Sequence, residues 1–255
     1  MENIRLGLIG CGGMAKNQRC LTVYPIGLLC DDTIAAEEAT DDTTYICQTS
    51  PHFHKLILKS GEYFSEFDLD ADPHYDSNGL GRIHRKDAPS AICMSCPCPA
   101  NPGFRLDIPP MALSLCAATK EKDAWKLGAA EGKYTLVSTC QDASTANATL
   151  LCRFADTTVE EAYTVSHKGV SVALTGEGEV GFALPALVFD GEIAPEITCD
   201  GKTLTISYEG WVCRYTTNGT ITDLNKTAAN RNGHYQAFLA HGQDVLNVNI
   251  QITKE

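Results

Sequence analysis

The sequence predicts a mainly β protein: an antiparallel β-sandwich of about a dozen strands, preceded by a short α/β segment. Short apolar or alternating segments recur from residue 43 onward between turn residues, and helical periodicity is nearly absent. Valine and threonine are plentiful where the alternation is clearest, as is typical of strands. We therefore expect residues 1–42 to form a separate segment and residues 43–255 to form the sandwich domain.

The first segment carries a glycine-rich turn of the kind that binds dinucleotides. An apolar run over residues 4–9 leads into Gly10-Cys-Gly12-Gly-Met-Ala15, a G-x-G-x-x-A pattern. Its glycines allow a tight turn and close approach of a pyrophosphate to a helix N-terminus. A second run, residues 26–30, ends in Asp31, about 20 residues past the glycines, where a ribose hydroxyl would be bound.

These residues resemble the N-terminus of the glucose-fructose oxidoreductase and inositol dehydrogenase family, over about residues 1–55. The Glu-Lys-Pro segment that supplies the catalytic lysine of that family is missing from this sequence. Pro25 also leaves only about ten residues for the first crossover helix, which is short for a parallel βαβ unit. We expect residues 1–42 to be a Rossmann-like remnant without a bound cofactor. A fragment of an NAD(P)-dependent oxidoreductase is the alternative.

The predicted strands of the sandwich follow one another at intervals of roughly ten residues. Asp-Gly pairs at 190 and 200 and Asn-Gly pairs at 218 and 232 supply residues that accept positive φ, as tight hairpins require. The predicted strands span residues 63–69, 91–96, 113–117, 134–139, 148–154, 159–165, 169–174, 180–184, 196–199, 203–208, 210–215, 235–240 and 245–252.

Residues 68–91 gather ionisable and turn-forming side chains more densely than any other part of the chain. His74, Arg82, His84 and Arg85 lie within about a dozen residues, and two glycines let the backbone fold these side chains toward one another. One interpretation is a solvated loop between two strands. The other is a ligand site, because imidazoles titrate near neutrality and guanidinium groups hold carboxylates.

Four phrases of the sequence carry a second resemblance. They are residues 59–69 (Lys-Ser-Gly-Glu-Tyr-Phe-Ser-Glu-Phe-Asp-Leu), 79–86 (Gly-Leu-Gly-Arg-Ile-His-Arg-Lys), 210–219 and 230–235. Together they resemble the C-terminal β-sandwich part of heparinase II/III-like proteins, over about residues 43–255. In that family an α-helical toroid precedes the sandwich and supplies most of the catalytic groups. The resemblance implies that the sandwich lends histidines and, in some members, a zinc site.

The resemblance implies a polysaccharide lyase-like domain, weakly active or inactive because no toroid is evident in the sequence. A lyase neutralises a uronate carboxylate, removes the C5 proton and protonates the leaving oxygen. In this chain His74 or His84 is the candidate base, Tyr75 the candidate acid, and Arg82 or Arg85 the candidate partner of the carboxylate. The expected ligand is an acidic oligosaccharide or polysaccharide, and a separate helical domain or subunit is a further expected partner. A non-catalytic glycan-binding or interaction module is the alternative function.

Two further groups are candidates for substrate binding. Trp211 could stack on a sugar ring, or could fill the sandwich core together with neighbouring tyrosines. Asn230, Arg231 and His234 lie in a polar turn that could contact a glycan, or that could simply close a hairpin. Both interpretations stay open for each group.

The acidic balance of the chain narrows the class of partner. A formal net charge of −12 and a pI of about 5.0 argue against binding to nucleic acid or to an anionic membrane, since phosphate groups would be repelled. A polyanionic ligand would therefore need a local basic patch, for which residues 82–86 are the best candidate.

The chain has twelve cysteines, and its N-terminus does not read as an export signal. We therefore expect a cytoplasmic protein with free thiols, and we expect Cys140, Cys152, Cys199 and Cys213 to be buried within strands. No cofactor is expected. Zinc bound by the C-x-x-C-x-C cluster at residues 93–98 is the alternative.

Overall fold

The computed structural model describes residues 43–49, 53–101 and 110–255. In these ranges the regular structure consists of fifteen β-strands and one four-residue helix, α1 (Gly128–Glu131). The strands pair antiparallel throughout, so the predicted mainly β, antiparallel sandwich is confirmed. The Rossmann-like segment predicted over residues 1–42 lies outside the described residues. Within the described ranges, no helix is long and apolar enough to cross a membrane.

The smaller sheet consists of β1 (Thr44–Gln48), β2 (Lys55–Ser60), β3 (Tyr63–Asp68) and β4 (Gly79–Arg85), in that spatial order. In β2, Leu56 and Leu58 are buried while Lys55 and Ile57 stay partly exposed. This alternation is typical of a sheet with one face packed on the core. The smaller sheet therefore has an apolar inner face and a charged outer face.

The larger sheet has eleven strands. Its main path runs in the order β11-β12-β13-β15-β10-β9-β8-β7, while β14 pairs with β15 and β5 pairs with both β10 and β6. The strands are β5 (Ala117–Glu121), β6 (Ala124–Leu127), β7 (Lys133–Gln141), β8 (Thr145–Arg153), β9 (Thr158–Ser166), β10 (Gly169–Phe189), β11 (Glu196–Cys199), β12 (Thr203–Tyr208), β13 (Trp211–Thr217), β14 (Thr220–Asn230) and β15 (Gly233–Lys254).

Two long central strands hold the larger sheet together. β10 and β15 pair from Val170 opposite Ile250 to Phe189 opposite His234. The sequence predicts each of them as two shorter strands, which is wrong. The residues between the two predicted halves of β10 form a bulge, with a register shift between Thr175 and Glu179, rather than a turn.

The inner face of the smaller sheet packs on the larger sheet and forms a shared core. The rings of Phe67 on β3 and Tyr163 on β9 meet edge to face, with their centres 4.7 Å apart. The Tyr63 hydroxyl donates to the carbonyl oxygen of Ile252 and accepts from its N–H, both at 2.9 Å. These contacts fix the two sheets face to face as a sandwich.

Three local predictions need correction. Residues 91–96 do not form a strand. Met94 makes only an isolated bridge to Ile83, on the edge strand β4 of the smaller sheet. Residues 68–91, for which a loop between two strands is one interpretation, contain strand β4. The Asn-Gly pairs do not supply positive φ: Gly219 and Gly233 lie outside the left-handed region, and glycine is required there because a Cβ would collide with neighbouring carbonyl oxygens.

The expectation of buried strand cysteines holds for two of the four. Cys152 and Cys213 are buried, on strands that have neighbours on both sides. Cys140 and Cys199 are exposed, so their predicted burial is wrong. Both lie on the terminal strands of the sheet order, β7 and β11, where side chains face solvent.

Candidate functional site

A cleft of about 970 Å³ lies where one end of the smaller sheet meets α1 and the start of β7. This volume is within the range of pockets that bind small ligands. Four separate stretches of the chain contribute to it. The lining residues are Gln48, Thr49, His54, Lys55, Leu69, Asp70, Asn78, Ala130, Glu131, Gly132, Lys133, Tyr134 and Leu136.

Asn78 joins the two walls of the cleft. Its Nδ2 donates to the carbonyl oxygen of Gly132 at 3.2 Å, and its backbone N–H donates to Ala129 at 3.1 Å. Gly132 is required at this point, because a Cβ would collide with the thiol of Cys152. The connection that leads into β4 is thereby fixed against the segment that leads into β7.

His54 enters the cleft from a strained position. Its φ of 55° lies in the left-handed region, which is uncommon for residues other than glycine. Its carbonyl oxygen accepts from the backbone N–H of Leu69 at 3.0 Å. Its Nε2 lies 3.7 Å from Oδ2 of Asp70. These contacts place the imidazole of His54 and the carboxylate of Asp70 side by side in one wall of the cleft.

Lys55 links the cleft to a network of charges on the outer face of the smaller sheet. Its Nζ lies 2.6 Å from Oδ2 of both Asp68 and Asp76, and 3.7 Å from Glu66. Burial alone would lower the pKa of Lys55, but the two aspartates raise it above its ordinary value, so the ammonium stays charged. Burial is the main effect that raises the pKa of Asp76 to about 6, against the opposing pull of Lys55.

A fully buried carboxylate lies behind the cleft wall. Oε1 of Glu161 accepts hydrogen bonds from the backbone N–H of Ala117 at 2.8 Å and from the hydroxyl of Tyr134 at 3.0 Å. Oε2 accepts from the Tyr163 hydroxyl at 2.5 Å. Burial raises the pKa of Glu161 to about 7, while these donors lower it in part. The hydroxyl of Tyr134, a residue that also lines the cleft, is therefore held in place by the Glu161 carboxyl group.

Arg82 and His84 lie on the outer face of β4, two residues apart. Nη1 of Arg82 donates to Glu66 at 3.1 Å, and its Nε donates to the carbonyl oxygen of Ser95 at 2.5 Å. Nε2 of His84 is buried and has no hydrogen-bond partner. Burial, with a smaller effect from Arg82, lowers the pKa of His84 to about 4. The expectation that His84 titrates near neutrality is therefore not met.

His74 and Tyr75, the other candidate catalytic residues, lie in an exposed turn before β4. Their rings contact each other edge to face at 4.5 Å, and Tyr75 is 71% exposed. Among the described residues, no hydrogen bond joins this pair to Arg82 or His84. The structure thus brings the candidate base His74 beside the candidate acid Tyr75, without a hydrogen bond to the other candidate base, His84, or to Arg82.

Arg85 and Trp211, predicted from distant parts of the chain, are brought together. The guanidinium carbon of Arg85 lies 5.5 Å from the centre of the Trp211 ring and 5.9 Å from that of Tyr63. Its Nε donates to Glu62 at 2.9 Å, and its Nη1 to the carbonyl oxygen of Ile252 at 2.5 Å. Trp211 is partly buried against the core, so this pair closes one end of the sandwich.

The Asn230 turn closes the β14–β15 hairpin and also contacts the segment beside Arg82. Oδ1 of Asn230 accepts from the backbone N–H of Gly233 at 3.1 Å, and its Nδ2 donates to the carbonyl oxygen of Cys96 at 2.6 Å. The backbone of Arg231 hydrogen-bonds the Cys96 thiol. His234 packs edge to face on Phe189, with ring centres 5.9 Å apart.

Zinc binding at residues 93–98 stays a prediction. Sγ of Cys93 lies 3.2 Å from the hydroxyl of Tyr215, and Cys98 is buried. Within the described residues, no group of three or more histidine, cysteine or acidic side chains is placed to hold a metal ion.

None of the nine predicted site residues lines the cleft. One signal in the sequence could have located the buried carboxylate behind it. In the predicted strand over residues 159–165, inward positions alternate, and this places Glu161 on the same face as Val159 and Tyr163. Lys55 gave no such signal, because strand β2 was not predicted.

Comparisons with known proteins add the following. No protein-family model matches the chain, and no curated protein matches it. Among solved structures, it is similar to a 4-alpha-glucanotransferase from Thermococcus litoralis, with a TM-score of 0.45 and 9% identity, covering 84% of this chain and 41% of that one. It is also similar to a protein assigned as a kojibiose phosphorylase from human microbiome, with a TM-score of 0.34 and 7% identity, covering 76% and 29%. Neither likeness bears on the ligand or reaction of this chain.

Proposed function

We propose that this chain is a carbohydrate-binding β-sandwich domain whose ligand lies in the cleft. The observation that carries the proposal is the combination of a volume of about 970 Å³ with a lining in which nine of thirteen residues have polar side chains. A sugar presents hydroxyl groups on most of its edge, each able to donate and accept, so its site needs both kinds of partner at short range. Carboxylate, ammonium, amide, imidazole and hydroxyl groups all line this cleft.

The apolar part of the lining fits the same ligand class. Leu69 and Leu136 lie among the polar side chains and offer surface to the C–H face of a sugar ring. The resemblance of residues 43–255 to the sandwich of heparinase II/III-like proteins also supports a carbohydrate ligand. The proposed role is binding rather than cleavage, since among the described residues no hydrogen bond joins His74 and Tyr75 to Arg82 or His84.

A library of immobilised oligosaccharides tests this proposal, followed by calorimetric titration of any that bind. Ala130 is exposed on α1 and lines the cleft, so Ala130→Trp fills the cleft without entering the core. We expect this variant to weaken binding about tenfold or more, a loss of about 1.4 kcal/mol. Ala124→Trp is the matched control, since Ala124 is exposed on β6 and does not line the cleft.

Two results would contradict the proposal: no oligosaccharide bound by the wild type, or equal binding by the wild type and Ala130→Trp. The lyase prediction can be read in the same experiment. Cleavage of a uronate polymer by a lyase creates a product that absorbs in the ultraviolet, whereas binding alone creates none.

A further inference from the structure

The partly buried ammonium of Lys55, which lines the cleft, is already neutralised by the protein. Lys55 has three N–H donors, and two of them are used by Asp68 and Asp76 at 2.6 Å each. Its side chain is only 12% exposed. A ligand carboxylate placed beside this ammonium would also meet the two aspartates, so Lys55 is a poor anchor for an anion.

The remaining charges of the lining are largely paired as well. Nζ of Lys126 lies 3.2 Å from Oε2 of Glu131, and Nε2 of His54 lies 3.7 Å from Oδ2 of Asp70. Lys133 is the only cation of the lining without an ion-pair partner among the described residues, and it is exposed. Besides the His54 imidazole, two ammonium groups, Lys55 and Lys133, and two carboxylates, Asp70 and Glu131, line the cleft.

We propose that the cleft selects an uncharged sugar over an acidic one, an inference that rests on the proposed function. The two lining carboxylates can accept hydrogen bonds from sugar hydroxyls, and these charge-assisted bonds are among the strong ones. The same carboxylates repel a uronate or a sulfated sugar, while of the two lining ammonium groups Lys55 is neutralised by Asp68 and Asp76 and Lys133 is exposed to solvent, which weakens its attraction. The net charge of −12 on the whole chain adds to this repulsion. The selection is opposite to the acidic ligand that the sequence predicts through Arg82 and Arg85.

Asp70 is the residue on which this selection depends most. Its side chain is 79% exposed, so its carboxylate oxygens can still accept hydrogen bonds from a ligand although Nε2 of His54 lies 3.7 Å from Oδ2. Asp70→Asn keeps the shape and one acceptor but removes the charge. The variant should therefore lose affinity for a neutral sugar and gain affinity for an acidic one.

Matched sugar pairs test the inference. An oligogalacturonate trisaccharide is compared with its carboxyl-reduced form, and a cello-oligosaccharide with its C6-oxidised form, each titrated into the full chain at low and at high salt. We expect each neutral member to bind about tenfold tighter at low salt. Salt should leave the affinity for the neutral member unchanged and raise the affinity for the acidic one, since it screens repulsion.

The outcomes distinguish the selection by charge from carbohydrate binding itself. Tighter binding of the acidic member, weakened by salt, overturns the selection and leaves carbohydrate binding intact. Binding of neither pair, nor of any sugar in the library, removes the proposed function and this inference with it. Asp123→Asn, a change of the same kind in the exposed β5–β6 turn, should alter neither affinity. If Asp70→Asn behaves like this control, Asp70 does not determine the selection.

Discussion

The hydroxyl of Tyr134 lies 3.0 Å from Oε1 of Glu161, whose side chain no solvent reaches. Tyr163 and the backbone of Ala117 donate the other two hydrogen bonds to this carboxyl group. Among the described residues no lysine or arginine forms an ion pair with it. Three uncharged donors thus hold an acid behind the cleft wall, and burial raises its pKa to about 7.

The first prediction concerns Glu161 and pH. The pKa of Glu161 rises from about 4.5 in the unfolded chain to about 7 in the folded one, so the folded state binds an extra proton between these values. The free energy of unfolding should therefore fall as pH rises from 4.5 through 7, by about 3 kcal/mol in total. Glu161→Gln, which cannot ionise, should remove this slope.

The measurement is urea unfolding of both proteins at several pH values from 4.5 to 8.5. The difference between the wild type and Glu161→Gln isolates the contribution of Glu161, because other groups that titrate in the same range are common to both. Parallel pH profiles would show that the folded and unfolded pKa values of Glu161 are equal.

The second prediction concerns His84 and has the opposite sign. Burial lowers the pKa of His84 from about 6.5 to about 4, so the unfolded chain binds the extra proton in this range. Stability contributed by the neutral imidazole is present above pH 6.5 and should be lost as pH falls to 4, by up to about 3 kcal/mol. His84→Leu should flatten this acid limb of the profile.

His84→Leu should also not weaken the fold at pH 7.5. The buried Nε2 of His84 has no hydrogen-bond partner, and an unpaired buried polar atom costs about 1 to 3 kcal/mol. Replacing it with an apolar side chain removes that cost. A loss of more than about 1 kcal/mol at pH 7.5 would mean that the imidazole has a partner in solution.

The third prediction concerns Lys55. Lys55→Met leaves the buried Asp68 and the partly exposed Asp76 side by side without their cation. Breaking a fully buried ion pair costs about 3 to 5 kcal/mol, and the partial exposure of Asp76 puts the expected cost at or below the lower end of this range. The cost should be smaller at pH 5, where Asp76 takes up a proton because its pKa is about 6. Adding Asp76→Asn to Lys55→Met should restore part of the lost stability at pH 7.5. A double variant no more stable than Lys55→Met alone would show that Asp76 is not coupled to Lys55.

The sequence predicts well those strands whose burial alternates locally. The structure places β9, β11 and β12 where the sequence predicts them. Apolar and polar residues alternate along these strands, and this alternation indicates that one face of each strand points inward. The same alternation contained the signal for Glu161, an acid at an inward position between Val159 and Tyr163. Acidic residues are rarely fully buried, so the alternation alone does not mark Glu161 as part of the core.

The site could not be predicted in the same way, because pairing between strands creates it. Lys55 lies opposite Asp68 and Glu66 opposite Arg82 in the register of the smaller sheet, so charges that look solvated in the sequence neutralise one another. This pairing also explains why strand β4, at residues 79–85, carries charged side chains that in the sequence favour a loop. The cleft needs four stretches of chain to meet, and no local pattern indicates such a meeting.

The last prediction concerns the thiols and tests the packing of the whole sandwich. Of the nine cysteines in the described ranges, Cys47, Cys140 and Cys199 are exposed, and all nine are free thiols. These three should react within minutes with a maleimide, as read by peptide mass spectrometry. The protected thiols should react only after unfolding, since burial denies the reagent access and raises the pKa of Cys116 to about 12. They are Cys93, Cys98, Cys116, Cys152 and Cys213.

Cys152 and Cys140 make the sharpest comparison, because they lie on the paired strands β8 and β7. Cys152 faces the core beside Gly132, whereas Cys140 faces solvent on a strand at the end of the sheet order. Equal labelling rates at the two positions in the native protein would contradict the register of β7 on β8, and with it the cleft wall that this register supports. Rapid labelling of Cys140 with full protection of Cys152 is the expected result. Any slow labelling of Cys152 then measures how often this end of the sandwich opens.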